Sequence, residues 1–365
     1  FKPETINYDI KELIDRMDKE LNQIIEMDLE NDDIAACLSG GLDSSLVCKI
    51  AGNKMSEPLD TFSVYYEQSQ NEDLEYANMI AQNENFNARK TLVKKDDYSV
   101  EMLDRVLYAV EDFLLDKVYV ALYKNYEIIK KNGFQTVLAG EGSDELWIGY
   151  LFKWGIFNVY NNEISYNELI EKYYLPQMIF GKKIKKKYVE KTKEVLLNYL
   201  EKNITKNEEY PDYLNEISTL AIRTILHNLL MQEDKIGMAH SLENCVPFVE
   251  KKGLFELAMS TPGKLKIADG REKYPIRELG KKYLPSSIVE RNKLPFPEPS
   301  MEYDEVIKGL CIKYWEEIKS TKILVDLLET QYWETIENFN RKEQWFLLMM
   351  WRFETVFMNP NIIAK

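Results

Sequence analysis

The sequence predicts an α/β fold, with a parallel sheet in the N-terminal half and a mostly helical C-terminal half. Four short apolar, β-prone runs lie at 34–38, 61–65, 90–93 and 135–139. Helical patterns fill the chain between them, at 43–53, 73–83, 98–110 and 117–131. Strands that alternate with helices form right-handed crossovers and a parallel sheet, with ligands bound at the strands' carboxyl ends. Beyond about Tyr150 no run reads as a strand. Residues 151–365 read as helices broken at Pro211, Pro262, Pro285 and the three-proline stretch 294–300.

Taken in order, the chain opens on an amphipathic helix within 1–30. There Ile10, Leu13, Ile14, Met17, Leu21, Ile24 and Ile25 recur at helical spacing. Residues 31–150 form the α/β core, and 151–365 the helical part. Near the end, Trp345, Leu348, Met349 and Trp351 read as the buried face of a helix. The cluster Lys182, Lys183, Lys185, Lys186 and Lys187 reads as a solvated face rather than a docking patch for an acidic partner.

Composition bounds the partners. The chain has 365 residues, with 47 Lys+Arg against 61 Asp+Glu and a net charge of −14. That length predicts about two domains. An acidic balance of this size argues against bulk binding to nucleic acid or an anionic membrane, because phosphates attract basic surfaces. The longest apolar run, 345–351, is far short of the roughly 20 residues that span a bilayer. No secretory signal opens the chain. Cys37, Cys48, Cys245 and Cys311 are scattered, and there are two histidines, so no zinc site or disulfide framework is expected. A reducing, cytoplasmic setting follows. A homo-oligomer is compatible with all of this. The chain starts at Phe1, as expected of a processed piece of a longer protein.

The strongest chemical signal is Ser39-Gly40-Gly41-Leu42-Asp43-Ser44-Ser45, directly after the first strand and opening a helix. Two glycines allow a tight turn that brings successive N–H groups onto an anion. The helix N-terminus behind them adds a favourable dipole, and the serines add hydroxyl donors. It is not a Walker loop, which carries a Lys before its Ser/Thr. Asp43 repels a bare phosphate, so its presence calls for an intervening Mg²⁺. Another cluster, Ala139-Gly140-Glu141-Gly142-Ser143-Asp144-Glu145, follows the fourth strand. In a parallel sheet it can lie beside the first loop, with Asp144 facing Asp43 across one metal. Glu141 is then left near the reacting centre, where a carboxylate can act as base.

The run at 39–45 resembles the pyrophosphate loop of ATP-pyrophosphatases, which cleave ATP to AMP and pyrophosphate. The cluster at 139–145 resembles the GEGSDE stretch of asparagine synthetases. Farther on, Asp234-Lys235-Ile236-Gly237-Met238-Ala239-His240-Ser241-Leu242-Glu243, followed by Val246-Pro247-Phe248, resembles another motif of that family. So do Lys273-Tyr274-Pro275-Ile276-Arg277-Glu278, Leu284-Pro285 and Arg291-Asn292-Lys293. These motifs run from about residue 35 to 296, so the resemblance covers most of the chain. It is to the synthetase domain only, without the glutaminase domain and its N-terminal cysteine.

The resemblance implies a sheet of the ATP-pyrophosphatase (adenine nucleotide alpha hydrolase-like) type. It also implies ATP and Mg²⁺ as cofactors. Ser39, Gly40, Gly41, Asp43, Ser44 and Ser45 would hold the pyrophosphate, Leu38 and Val64 would flank the adenine, and Gly140 would contact the nucleotide. Asp43 and Asp144 would bind the metal. Lys273 and Lys293 would stabilise charge on the reacting phosphates, beside Glu141.

The implied activity is ATP-dependent amide formation on a small-molecule or peptide carboxylate, with ammonia or an amine as donor. A glutaminase would come from a missing segment or a separate subunit. The alternatives are a lactam- or macrolactam-forming synthetase of a peptide or antibiotic pathway and a catalytically silent nucleotide-binding subunit. Retained Glu141 favours amidation, since lactam-forming relatives carry Tyr there. Three residues depart from the family pattern. In a substrate pocket at Glu243 and Cys245, Cys245 replaces an arginine, which puts aspartate in doubt. Ile148 replaces a glycine, and Ala139 a serine.

Overall fold

A computed structural model describes residues 9–30, 33–67, 72–149, 165–203, 213–292 and 299–358. The chain folds as two compact units. The first takes Phe1–Val93, Ala121–Lys153 and Tyr210–Pro297. The second takes Lys94–Val120, Trp154–Glu209 and Glu298–Lys365.

The first unit is built on a five-stranded sheet in the order β3-β2-β1-β4-β5, with every neighbouring pair parallel. The expected strands are present as β1 Ile34–Cys37, β2 Asp60–Tyr66, β3 Asn87–Val93 and β4 Thr136–Leu138. The fifth, β5 Glu243–Cys245, corrects the expectation that no strand follows Tyr150. It has only three residues, of which Cys245 alone is buried, so no apolar run announces it. Its partner does: β4 is buried throughout and pairs Thr136 with Glu243 and Leu138 with Cys245. Because the chain leaves β1 toward β2 and β3 and returns on the other side as β4, the topological switch point lies between β1 and β4. In open parallel sheets, that is where ligands bind.

Three of the helices in this unit follow the expected pattern. Helix α1 (Ile10–Asp28) buries Leu13, Met17, Leu21, Ile24 and Ile25, a stripe spaced by about one turn. Helix α2 (Leu42–Lys54) buries Ser44 to Cys48, Ile50 and Ala51, so it is enclosed rather than amphipathic. Helix α3 (Glu72–Asn83) seats Ala77, Ile80 and Ala81.

The second unit contains α4 (Val100–Val110), whose N-terminus is capped by the Ser99 hydroxyl accepting from the Met102 N–H. The helix expected at 98–110 therefore belongs to this unit and not to the sheet. Helix α5 (Val118–Lys131) begins here and continues into the first unit.

The last described helix, 341–357, starts with a reciprocal cap between Asn340 and Glu343. It buries Trp345, Leu348, Met349 and Trp351 as expected. Trp345 donates its Nε1–H to the Leu115 carbonyl at 2.6 Å. Of the lysine cluster, Lys183 pairs with Glu343 at 2.5 Å, Lys187 with Asp326 at 3.2 Å, and Lys185 donates to the Val325 carbonyl. These contacts within the unit fit a structural face. No helix among the described residues is long and apolar enough to cross a membrane.

Candidate active site

The two loops singled out by sequence flank the switch point. After β1, the loop folds on its own hydroxyls. Ser39 Oγ and Ser44 Oγ lie 2.8 Å apart, and the Gly41 N–H donates to Ser39 Oγ. Gly41 caps α2, whose first-turn N–H groups lack intrahelical acceptors and carry the positive end of the dipole. After β4, Gly140 presses on that turn. A Cβ there would stand 2.7 Å from Ser44 N and 2.9 Å from Ser44 Cα, so only glycine lets the two loops close.

Asp43, in the first turn of α2, and Asp144, in α6 (Ser143–Trp147), converge on one cation. Lys273 Nζ lies 2.6 Å from Asp43 Oδ2 and 2.6 Å from Asp144 Oδ1. Lys273 precedes the helix Tyr274–Gly280 in a left-handed conformation, φ 56°, and is 3% exposed. Burial opposes its charge, but the neighbouring Asp144 and Asp43 outweigh that and hold the ammonium above its ordinary pKa. Gly149 makes room, because a Cβ there would strike both the Asp144 carboxylate and the Lys273 side chain. Asp43 Oδ1 is buried with no hydrogen-bond partner. Two carboxylates, one with an oxygen still to be satisfied, fit a hard divalent cation such as Mg²⁺. Lys293 lies outside the described residues.

Beside this group stands an acidic pair. Glu141, from the loop after β4, and Glu233, from the helix His227–Ala239, lie close enough to act on each other's protonation. Tyr126 of α5, wholly buried, donates its hydroxyl to Glu233 Oε1 at 2.7 Å. Burial first, and then the Glu233 charge, push the Glu141 carboxyl well above the usual carboxylate range. Glu233 is also raised by burial, against hydrogen bonds from Tyr126 and Glu141 that favour its anion. Burial and the two neighbouring charges therefore favour a proton on the pair, with Glu141 pushed up the more strongly.

Nearby, Cys37 accepts from Asn125 Nδ2 at 3.6 Å, and Asn125 Oδ1 accepts from the Thr91 hydroxyl. Burial and the neighbouring Glu233 and Glu141 raise the Cys37 thiol well above its ordinary value, so it stays neutral.

The remaining candidates fall as follows. Leu38 is buried at the end of the β1 run, where its carbonyl accepts from the Ser63 hydroxyl, and Val64 is half-buried on β2. Ser45 is wholly buried in α2. Glu243 is exposed at the amino end of β5, whereas Cys245 is buried at its carboxyl end. Cys245 lies with Asp28 and Glu250, their ligating atoms within 4.8 Å of one another. Burial and then Glu250 push Asp28 up to about 7.

Sequence reasoning gave Arg291 no role beyond its motif and missed Glu233 and Tyr126. Arg291 donates to the Gly40 carbonyl and pairs with Asp73, bracing the loop after β1. Glu233 and Tyr126 sit in helical patterns that give them no motif. A signal for Glu233 existed, since it lies three and four residues before Ile236 and Gly237, on a helix face that is buried.

The asparagine synthase family profile matches residues 17–352. The chain belongs to the asparagine synthase family. It is 27% identical over 82% of its length to asparagine synthetase [glutamine-hydrolyzing] 1 of Bacillus subtilis, covering 51% of that protein. It is 26% identical over 91% of its length to asparagine synthetase [glutamine-hydrolyzing] 3 of the same organism, covering 55%. The chain thus spans about half the length of these relatives.

Among solved structures, an NH3-dependent NAD synthetase from Campylobacter jejuni aligns over 62% of this chain and 96% of that chain. The identity is 15% and the TM-score 0.28. Ile148, where the resemblance implies a glycine, has φ 62°, a region that favours glycine.

Proposed function

We propose that the chain is an ATP-dependent carbon–nitrogen ligase that activates a carboxylate as its adenylate and passes it to ammonia or a primary amine. The observation that carries this reading is the convergence of Asp43, Asp144 and Lys273 beside the Ser39–Ser45 turn at the switch point. A substrate carboxylate attacks the α-phosphorus of ATP, the Pα–O bond to pyrophosphate breaks, and pyrophosphate leaves. Lys273, joined by Lys293, stabilises the charge that grows on the departing group. Asp43 and Asp144 would hold Mg²⁺, which supplies Lewis-acid stabilisation of phosphate oxygens.

In the step that follows, the amine nitrogen attacks the acyl carbon and AMP leaves with the electron pair of the broken C–O bond. The amine proton goes to the Glu141–Glu233 pair. The neutral, interior Cys37 thiol gives this chain no nucleophile for hydrolysing glutamine. Around Cys245, where the resemblance implies an arginine, act the acids Asp28, Glu250 and Glu243 and the cation Lys251, so aspartate is a poor substrate or is held by another cation.

The test is pyrophosphate release from ATP with a panel of carboxylates, aspartate included, each with and without ammonia or an amine. Release that depends on a carboxylate supports the reading. No release across a panel of amino-acid, small-acid and peptide carboxylates opposes it.

A further inference from the structure

We propose that Tyr126 is a positioning residue for the amide-forming step, its hydroxyl fixing Glu233 as the acceptor in a proton relay that begins at Glu141. The inference rests on the adenylation reading above and adds a residue that no motif in the chain contains.

The geometry leaves Tyr126 one polar task. Its ring is wholly buried in the first unit, and its hydroxyl lies 2.7 Å from Glu233 Oε1. Glu233, 8% exposed, is acted on by Glu141 as well as by Tyr126. Glu141 Oε2 is buried with no hydrogen-bond partner, which leaves that atom open to a proton from an incoming nitrogen. The titratable groups around the pair are Tyr126 on α5, Cys37 on β1, and Glu145 on α6. A backbone N–H bonds the Glu141 carboxyl, and the Tyr126 hydroxyl is the side-chain donor that favours the anion on Glu233.

The step balances. As the C–N bond forms and the acyl–AMP bond breaks, the nitrogen gives one proton to Glu141. The proton already on Glu141 crosses to Glu233, and the pair passes from one proton to two. Without the tyrosine hydroxyl, Glu233 is a poorer anion, so at a given pH less of the pair is left in the form that can take up the amine's proton. A hydrogen bond to a charged group is among the stronger neutral-donor contacts, so its loss is worth about tenfold or more.

Tyr126→Phe keeps the ring and removes the donor. Expected is amide formation slowed by about tenfold on the acidic limb of its pH profile, with carboxylate-dependent pyrophosphate exchange within about twofold of wild type. The acidic limb of the amidation pH profile should move up by about one unit, because an unassisted Glu233 holds its proton more tightly. An isosteric variant, with 3-fluorotyrosine at position 126, lowers the phenol's pKa and should move the limb down.

The titration is also followed without turnover, by the infrared band of the protonated carboxyls. Its midpoint should move up in Tyr126→Phe and down with 3-fluorotyrosine. Midpoints unchanged in both variants overturn the proposal, as does a parallel fall of exchange and amidation with an unmoved pH profile. Absence of exchange in the wild type would instead remove the adenylation reading, leaving the infrared result to judge Tyr126.

Discussion

Asp144 and Glu141 stand three residues apart, Glu141 in the loop after β4 and Asp144 in the first turn of α6, yet their carboxylates are accommodated in different ways. Asp144 shares the Lys273 ammonium with Asp43, so two negative charges are held by one fixed cation. Glu141 meets Glu233, and the two are held by a shared proton and the Tyr126 hydroxyl. Buried carboxylates need one remedy or the other, since an unpaired charge out of water is costly. The remedy indicates the chemistry each cluster suits. A cation-bridged pair can accept a metal and polyphosphate, and a pair of carboxyls raised by burial can hold and pass on a proton.

The largest effect that sharpens this contrast comes from the metal side. Asp43→Asn and Asp144→Asn each remove a hard anionic ligand at nearly constant shape. Each is expected to lower Mg-dependent pyrophosphate release by on the order of 10³-fold, with the thermal transition retained. Folded variants with near-normal release would break the assignment of this cluster to adenylation.

Next comes stability. Lys273→Met leaves Asp43 and Asp144 facing each other with no cation, and breaking buried pairs of this kind costs about 3–5 kcal/mol. Adding Asp144→Asn to that variant should recover part of the loss. Chemical denaturation reads both, and no recovery in the double variant would mean that the lysine acts through packing alone.

The smallest effect concerns the acid beside Cys245. The folded state lifts Asp28 to about 7 from an ordinary 3.8. Raised in the folded state, this group leaves stability intact below about pH 4 and erodes it as pH rises through about 7. Asp28→Asn removes the titration, so at pH 8 it should melt a few degrees above wild type, with no advantage at pH 4. Melting curves at the two pH values decide it, and an equal offset at both would assign the effect to packing.

The halves of this contrast were unequally legible in the sequence. The cation-bridged cluster was readable because the phosphate loop needs glycines, serines and an acid in one run, and Lys273 came with a motif. Strands β1 to β4 were readable from their apolar runs. Strand β5 was not, because its pairing to β4 joins residues far apart in sequence and only Cys245 is buried. The proton-sharing cluster was half legible. Glu141 sits in a glycine-rich loop, but Glu233 and Tyr126 come from helices whose local patterns look ordinary. Only the packing of α5 and the helix His227–Ala239 against the sheet reveals that their polar atoms meet.

The division of labour between the clusters is tested most directly by rapid-quench kinetics on Glu141→Gln, following acyl-adenylate and amide together. General-base help contributes about 10²–10⁴-fold, and the amide side chain cannot take the proton. Amide formation should fall by at least about 10²-fold while adenylate forms at a near-normal rate and accumulates. A parallel fall in both, with no adenylate build-up, would contradict the assignment of Glu141 to the amide-forming step.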